Sequence, residues 1–322
     1  MAVLKFVLYD LMGNSFQAND VTSYGLSKNV DAACDGLQLT FTAEAAVNEF
    51  KSVKVFNKDN CIFNGLVDTQ REQINEGGMS VYIYARSTAS VLVDNEAVPF
   101  TYSYPSANSL YYHNARDFGF KSKLPELFSG SQYQVSKGTS CYGAINNFVY
   151  GICGKKIAVD VENNIYIPGG NAVVGIDKGK IISEKRTINR VKAVSKIDYK
   201  ANGSTSYCYH IKSRFFDERG ISRCKKLNIT SMPQWQQDSA LLNALENAAA
   251  DYCTVELALH GSVEACLYDR ISYKSNILDN TDDYYISSIY AYGDKNGEYT
   301  RLTISKQIDL REVSYVAEQG NI

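Results

Sequence analysis

Residues 63–99 read FNGLVDTQREQINEGGMSVYIYARSTASVLVDNEAVP, and the reading of this stretch decides the fold. A short apolar strand ends in Asn64-Gly65-Leu66-Val67. A polar run follows from Asp68 and closes at Gly77-Gly78, a pair suited to a turn because glycine adopts positive φ without strain. Residues 79–85 then alternate at period two, the signature of a half-buried strand. That strand passes directly into Ala85-Arg86-Ser87 and a short apolar segment holding Leu92, Asp94 and Pro99. Strands, a turn and a fixed exit are present without a nucleophile, base or ligand cluster, so the stretch reads as scaffold.

Working outward, residues 1–104 read as all-β. Residues 3–9 and 21–26 are strands, and GLQLTFT (36–42) and SVKVF (52–56) alternate at period two. Residues 44–50 read as one helical turn or a loop. Short strands at this spacing predict a small barrel or sandwich.

Residues 105–178 change character. Thr139 or Ser140 caps a helix running CYGAINNFVYGIC and stopped by Gly154, with Cys141, Ala144, Ile145, Phe148, Val149 and Ile152 as its apolar stripe. Residues 156–161 and 165–167 flank Glu162-Asn163-Asn164 as a hairpin, making a small α/β unit. The stretch 111–131 reads as irregular with one short helix.

Residues 179–308 return to β. Strands are expected at 191–197, 206–213, 253–259, 266–272, 284–292 and 299–305, the last two joined by the DKNG turn. A helix over 235–250, capped by Asp238 or Ser239, presents Leu241, Leu242, Leu245 and Ala248 to a core. Residues 309–322 have no evident place in a core. They are expected to dock on a partner or another copy through Leu310, Val313, Tyr315 and Val316.

Bulk properties exclude several functions. The 322 residues carry 33 Lys and Arg against 35 Asp and Glu, so a general nucleic-acid or membrane-surface binder is not expected. No apolar run approaches the ~20 residues needed to span a bilayer, and no signal peptide is read at the N-terminus. The 24 tyrosines favour β-rich structure over a carbohydrate-binding surface. None of the 8 cysteines forms a C-x-x-C pair, so reduced thiols in a protein made in cytoplasm are expected, without zinc or redox motifs.

Chemistry is sparse. His113, His210 and His260 lack a second histidine at helical metal-pair spacing. Gly151-Ile152-Cys153-Gly154-Lys155-Lys156 lacks the first glycine and the Ser/Thr of a phosphate loop and reads as a helix stop. Asp279, Asp282 and Asp283 lack the spacing of a calcium loop, and Lys185, Arg186, Arg190 and Lys192 read as a solvated strand face. The expectation is a protein without cofactor, metal or catalytic residues. A paired-carboxylate hydrolase stays open, because the distance it requires is not readable from sequence.

These residues resemble the baseplate hub proteins of contractile phage tails and phage-like bacteriocins, the late control D-like and XkdQ-like family. The resemblance rests on Gly65-Leu66-Val67-Asp68, on Ala85-Arg86-Ser87 ending a long alternating strand, and on Leu92, Asp94 and Pro99. Gly138-Thr139-Ser140 before a helix and the paired strands around the DKNG turn extend it. As an order of elements it covers nearly the whole chain; its sharp motifs cover about one tenth. The stretch 104–131 departs from the family's usual helix.

The resemblance implies a mainly β protein with α+β character. Two tube-like β-barrel domains (1–104 and 179–308) would flank a small α/β domain (105–178), with a docking tail (309–322). It implies a homotrimeric ring of pseudo-sixfold symmetry joining tail tube to central spike and leaving an axial channel. Implied partners are the chain itself, the tail tube protein, the central spike protein and other baseplate proteins, with the tape measure protein as a further candidate. Neither specific nucleic-acid binding nor membrane insertion is implied. The location would be the baseplate of a virion or bacteriocin particle, assembled in the host bacterial cytoplasm. Channel-facing side chains should be polar or acidic. The rival readings are a glycan- or receptor-binding tail module and a cell-wall hydrolase.

Overall fold

The computed structural model describes residues 4–76, 78–169, 172–200, 203–230, 232, 234–307 and 313–317, with backbone alone at 75, 234–236, 251 and 313–317. The chain opens with strands β1 (Leu4–Asp10), β2 (Ser15–Ala18), β3 (Val21–Asn29), β4 (Gly36–Ala43), β5 (Phe50–Asn57), β6 (Asn60–Asn75) and β7 (Gly78–Ser87). They lie in the antiparallel order β3-β4-β7-β6-β5-β1-β2. Period-two alternation sends Leu37, Leu39 and Phe41, Val53 and Val55, and Val81, Ile83 and Ala85 to one face, where they form a dry core with Phe6, Leu8 and Phe63.

The polar run after Val67 is strand rather than loop. It forms the second half of β6 and pairs with β7 along its length. β5 stops pairing with β6 at Leu66, so residues 69–75 lie on an edge where polar side chains are solvated. Residues 44–49 carry no helix.

The middle unit contains α1 (Ser90–Asp94), β8 (Phe100–Tyr102), α2 (Ala107–Asn114), β9 (Lys121–Ser122), β10 (Tyr133–Val135), α3 (Cys141–Cys153), β11 (Ala158–Val159) and β12 (Asn164–Tyr166). Ser140 caps α3 by accepting from Gly143 N at 3.0 Å, and Gly154 ends it at φ 69, a left-handed conformation that glycine adopts without a Cβ penalty. The short helix expected within 111–131 begins earlier, at Ala107, because Ser106 and Ser109 cap each other's backbone. Leu92, Leu110, Ile145, Phe148 and Ile165 centre this unit's core.

The last unit contains β13 (Val173–Gly175), β14 (Ile181–Ile188), β15 (Lys196–Lys200), β16 (Tyr209–Ser213), α4 (Arg214–Asp217), β17 (Cys224–Asn228), α5 (Gln234–Tyr252), β18 (Cys253–His260), β19 (Arg270–Ser272), β20 (Tyr284–Asp294), β21 (Gly297–Lys306) and β22 (Val313–Ala317). Three expectations are corrected. Residues 191–195 are not strand, because Ala193 and Val194 are buried from loop positions; pairing starts at Lys196. Asp238 and Ser239 lie inside α5, which begins at Gln234, so neither caps it. Of 266–272 only Arg270–Ser272 forms strand. α5 packs Leu241, Leu245 and Ala248 on a small sheet ordered β17-β15-β16-β22.

The two β units are copies of one design. Along the sheet, β14-β18-β21-β20 repeats β3-β4-β7-β6. The hairpin β6–β7 starts at Gly65↔Ser87, shifts register between Val67 and Thr69 and closes at Asn75↔Gly78. The hairpin β20–β21 starts at Tyr284↔Lys306, shifts between Ile286 and Ser288 and closes at Asp294↔Gly297. The pair β3–β4 shifts between Val21 and Ser23, and β14–β18 at the corresponding place, between Ile181 and Ser183. Bulges are placed features, so their recurrence at matching positions marks an internal duplication.

The two copies are joined edge to edge. β20 pairs antiparallel with β3 from Ser288↔Asn29 to Asp294↔Ser23, fusing both units into one sheet.

Candidate functional site

Three of the residues singled out in the sequence, Asp68, Arg86 and Asp94, meet at the junction of the first β unit and the middle unit. Arg86, near the end of β7, donates Nε to Asp68 Oδ2 at 2.6 Å and Nη2 to Asp68 Oδ1 at 3.1 Å. It also donates Nη1 and Nη2 to Asp94 of α1, at 3.0 and 2.7 Å. A planar guanidinium suits two such bidentate grips. The bonds from Arg86 hold the Asp94 carboxyl below the usual range, and the two carboxylates raise Arg86 further above its own.

Ala85 and Leu92 are fully buried, and Ser87 Oγ accepts from Asp35 N at 3.1 Å. Gly65 lies against the Arg86 backbone, and Pro99 is exposed in a loop. Thr88 Oγ1 donates to Asn163 Oδ1 at 2.7 Å and Asn64 Nδ2 to the Val161 carbonyl at 3.0 Å, which staples the middle unit to the first.

Of the tail residues, Leu310 lies outside the described residues. Val313, Tyr315 and Val316 belong to β22, whose backbone pairs with β16 of the same chain from Ser213↔Val313 to Tyr209↔Ala317.

A broader surface was not legible in the sequence. Opposite the cores, the shared sheet exposes a polar, tyrosine-rich face spanning both units. One cross-strand row runs Thr69, Tyr84, Gln38, Gly25, Tyr292, Tyr299 and His260. Tyr290 stacks on Tyr292 with centroids 5.3 Å apart, Tyr292 on Tyr299 at 5.4 Å, and Arg71 lies over the Tyr82 ring. Arg71, Arg86, Lys185 and Arg301 share this face with Asp68, Glu256 and Asp294, and the flanking strands β5 and β1 add Lys54 and Lys5. Alternation of tyrosine and small polar residues was the available signal, but no local feature says that β3 and β20 are neighbours.

A cleft of about 940 Å³ lies where α3, α5, the β3–β4 turn and β20–β21 converge. Lys155, Lys156, Glu246, Tyr268 and Arg270 line it, and Lys156 Nζ meets Asp31 Oδ1 at 2.6 Å. Burial raises the Glu246 carboxyl above its ordinary range, with Lys155 opposing. His113 packs against Tyr102 and Tyr112 in the middle unit, His210 is buried in β16, and His260 lies beside Tyr299. Among the described residues no group of three or more His, Cys, Asp and Glu side chains is placed to hold a metal, and no helix is long and apolar enough to cross a membrane. The eight cysteines are free thiols.

No protein-family model matches the sequence, and no curated protein matches it significantly. Solved structures do match. The 43 kDa tail protein of prophage MuSo2 from Shewanella oneidensis superposes with a TM-score of 0.77 at 14% identity, over 94% of this chain and 98% of that one. The tail protein from Neisseria meningitidis MC58 gives 0.75 at 12%, over 94% and 96%. The chain has the tail-protein fold. A third match is the E. coli c3393 protein, described as a type VI secretion component with structural similarity to the T4 tail proteins gp27 and gp5. It gives 0.54 at 9% identity, over 90% of this chain and 74% of that one. The tail-protein fold accounts for the mainly β architecture with a small α/β unit between two β units.

Proposed function

We propose that this chain is the structural hub subunit of a contractile tail or contractile injection system. Three copies form a ring, one face of which receives the sixfold tail tube while the other holds the trimeric spike. The observation that carries the reading is the duplication: two four-stranded units with matching order and matching bulges, hydrogen-bonded side by side through β3 and β20. Three copies then present six near-equivalent units, which reconciles threefold with sixfold neighbours. The c3393 protein, a type VI secretion component with structural similarity to the T4 tail proteins gp27 and gp5, supports a place in such an assembly.

In this reading the hub works mechanically and not as an enzyme. It keeps the spike on the tube, carries the force of contraction and leaves an axial channel lined by the tyrosine-rich face. That face is polar and carries both signs of charge. The partners are further copies of the chain, tube, spike, other baseplate proteins and the tape measure protein, within a virion or bacteriocin baseplate assembled in the host bacterial cytoplasm. Leu310, Val313, Tyr315 and Val316 remain candidates for partner contact.

Native mass spectrometry with negative-stain imaging tests the reading. A trimer with a central hole and six-lobed outline is expected; a chain that neither trimerises nor joins tube or spike proteins would sink it. One observation favours a second reading, a glycan-binding module: Phe100, Tyr104, Tyr112 and Phe128 of the middle unit are all exposed. Saturable binding of the isolated chain on a glycan array would support it.

A further inference from the structure

In the shared sheet, β14 pairs with β18 on one side, and no strand among the described residues pairs with the other. Residues 69–75 of β6 are likewise paired only with β7. These free edges occupy matching places in the duplication: β6 corresponds to β20 and β14 to β3. The pairing that β20 and β3 make inside the chain is therefore a template for the edges left over.

We propose that the seam between copies is β6 of one copy paired antiparallel with β14 of the next, in the register that β20 and β3 already use. This deepens the ring reading above and rests on it. Gly293↔Tyr24 becomes Ile74↔Glu184, Tyr292↔Gly25 becomes Gln73↔Lys185, and Ala291↔Leu26 becomes Glu72↔Arg186. Tyr290↔Ser27 becomes Arg71↔Thr187, and Ile289↔Lys28 becomes Gln70↔Ile188.

Side-chain chemistry that played no part in deriving this register agrees with it. Glu72 faces Arg186, an opposed pair of opposite charge that stabilises antiparallel strands. A slip of two residues in one direction sets Glu72 against Glu184, like against like, and a slip of one sends every side chain to the wrong face. Ile74, Ile182 and Ile188 are 80%, 47% and 48% exposed in the single chain. Ile74 and Ile188 fall on the face shared by Glu72 and Arg186, where the pairing covers them, and Ile182 sits at the bulge just beyond it. Arg71, Gln73, Lys185 and Thr187 fall on the opposite face and continue the polar surface across the seam.

Cysteine pairs in the full-length chain test the register. Cα atoms directly opposite across antiparallel strands lie about 4.5–5.5 Å apart, within disulfide reach. Glu72→Cys combined with Arg186→Cys should, on oxidation, link copies into covalent trimers on non-reducing gels. Each single variant and the slipped pair Glu72→Cys with Ile188→Cys should not. Separately, Glu72→Arg should weaken ring formation about fivefold, and adding Arg186→Glu should restore it. A trimer by mass that fails to link through 72 and 186, or that links through the slipped pair, overturns the seam and leaves the ring reading standing. A chain that stays monomeric at every attainable concentration overturns the seam together with the solution trimer.

Discussion

Gly65 and Arg86 approach so closely that a Cβ on Gly65 would stand 2.4 Å from the Arg86 carbonyl oxygen and 2.6 Å from the Phe63 ring. The obstacle is backbone, which cannot swing aside. Gly65→Ala should therefore cost about 1–3 kcal/mol, as overpacking does. Chemical denaturation of the purified chain reads this directly, and an unchanged midpoint would show that β6 and β7 separate there without strain.

Removing the Arg86 side chain leaves Asp68 and Asp94 without their shared cation. Both pairs are partly exposed, so solvent screening keeps the loss modest, about 1 kcal/mol for Arg86→Ala. The pH dependence has a definite sign. Asp94 is held below its unfolded pKa of about 3.9, so its stabilisation is present above that pH and is lost as pH falls through the lower folded value. The melting difference between wild type and Arg86→Ala should be flat from neutral pH to about 5 and shrink below about 4. A difference that grows in acid would contradict the clamp.

Ser140→Ala removes the bond that Ser140 offers to Gly143 N and should cost about 1 kcal/mol. Because α3 supplies Ile145 and Phe148 to the middle core, the loss should appear as faster hydrogen exchange across α3. Exchange confined to the first turn would show that the cap acts only locally.

The thiols should separate by reactivity. Cys153 and Cys266 are exposed and should be alkylated first at pH 8, whereas burial pushes the Cys34 thiol up to about 11 and should leave it slow. Cys141 and Cys253 are buried and should react only on unfolding. Mass spectrometry of timed alkylation reads the order, and early modification of Cys253 would be incompatible with its burial beside Val255 and Leu257 of β18.

Deleting 309–322 strips β22 from β16. Amides of Tyr209–Ser213 should then exchange faster, by roughly tenfold for each 1.4 kcal/mol of lost local stability. If the tail serves a partner as well, the same deletion should also reduce assembly with tube or spike proteins. Unchanged assembly would confine the tail to its own chain.

What was legible in the sequence was what one element dictates alone. Ser140, the apolar stripe and Gly154 define α3 at both ends, and alternation in GLQLTFT and VYIY gives β4 and β7. Lys185 and Arg186 read as a solvated strand face, but the bounds of β14 were not legible, because IISEKRTI keeps most of its side chains exposed and does not alternate. The edge half of β6 was missed for the same reason, since TQREQIN covers no core. The clamp was half legible: Asp68, Arg86 and Asp94 stood out as a pattern, but only folding brings α1 back to the end of β7. The two β-barrel units were expected from the family resemblance alone; their residues do not reveal the duplication, because the units share register and bulges rather than side chains.

The seam between β3 and β20 has a consequence for synthesis. Ser288 Oγ donates to the Lys28 carbonyl across 260 positions of sequence. A ribosome delivering about 5–20 residues per second finishes β3 many seconds before β20 exists. During that interval the nascent first unit shows a bare edge on both flanks, each able to capture a stray strand. Translation that stops before β20 leaves those edges open for good. Such truncated products are expected to cap growing assemblies or clump with one another, and so to interfere with full-length neighbours.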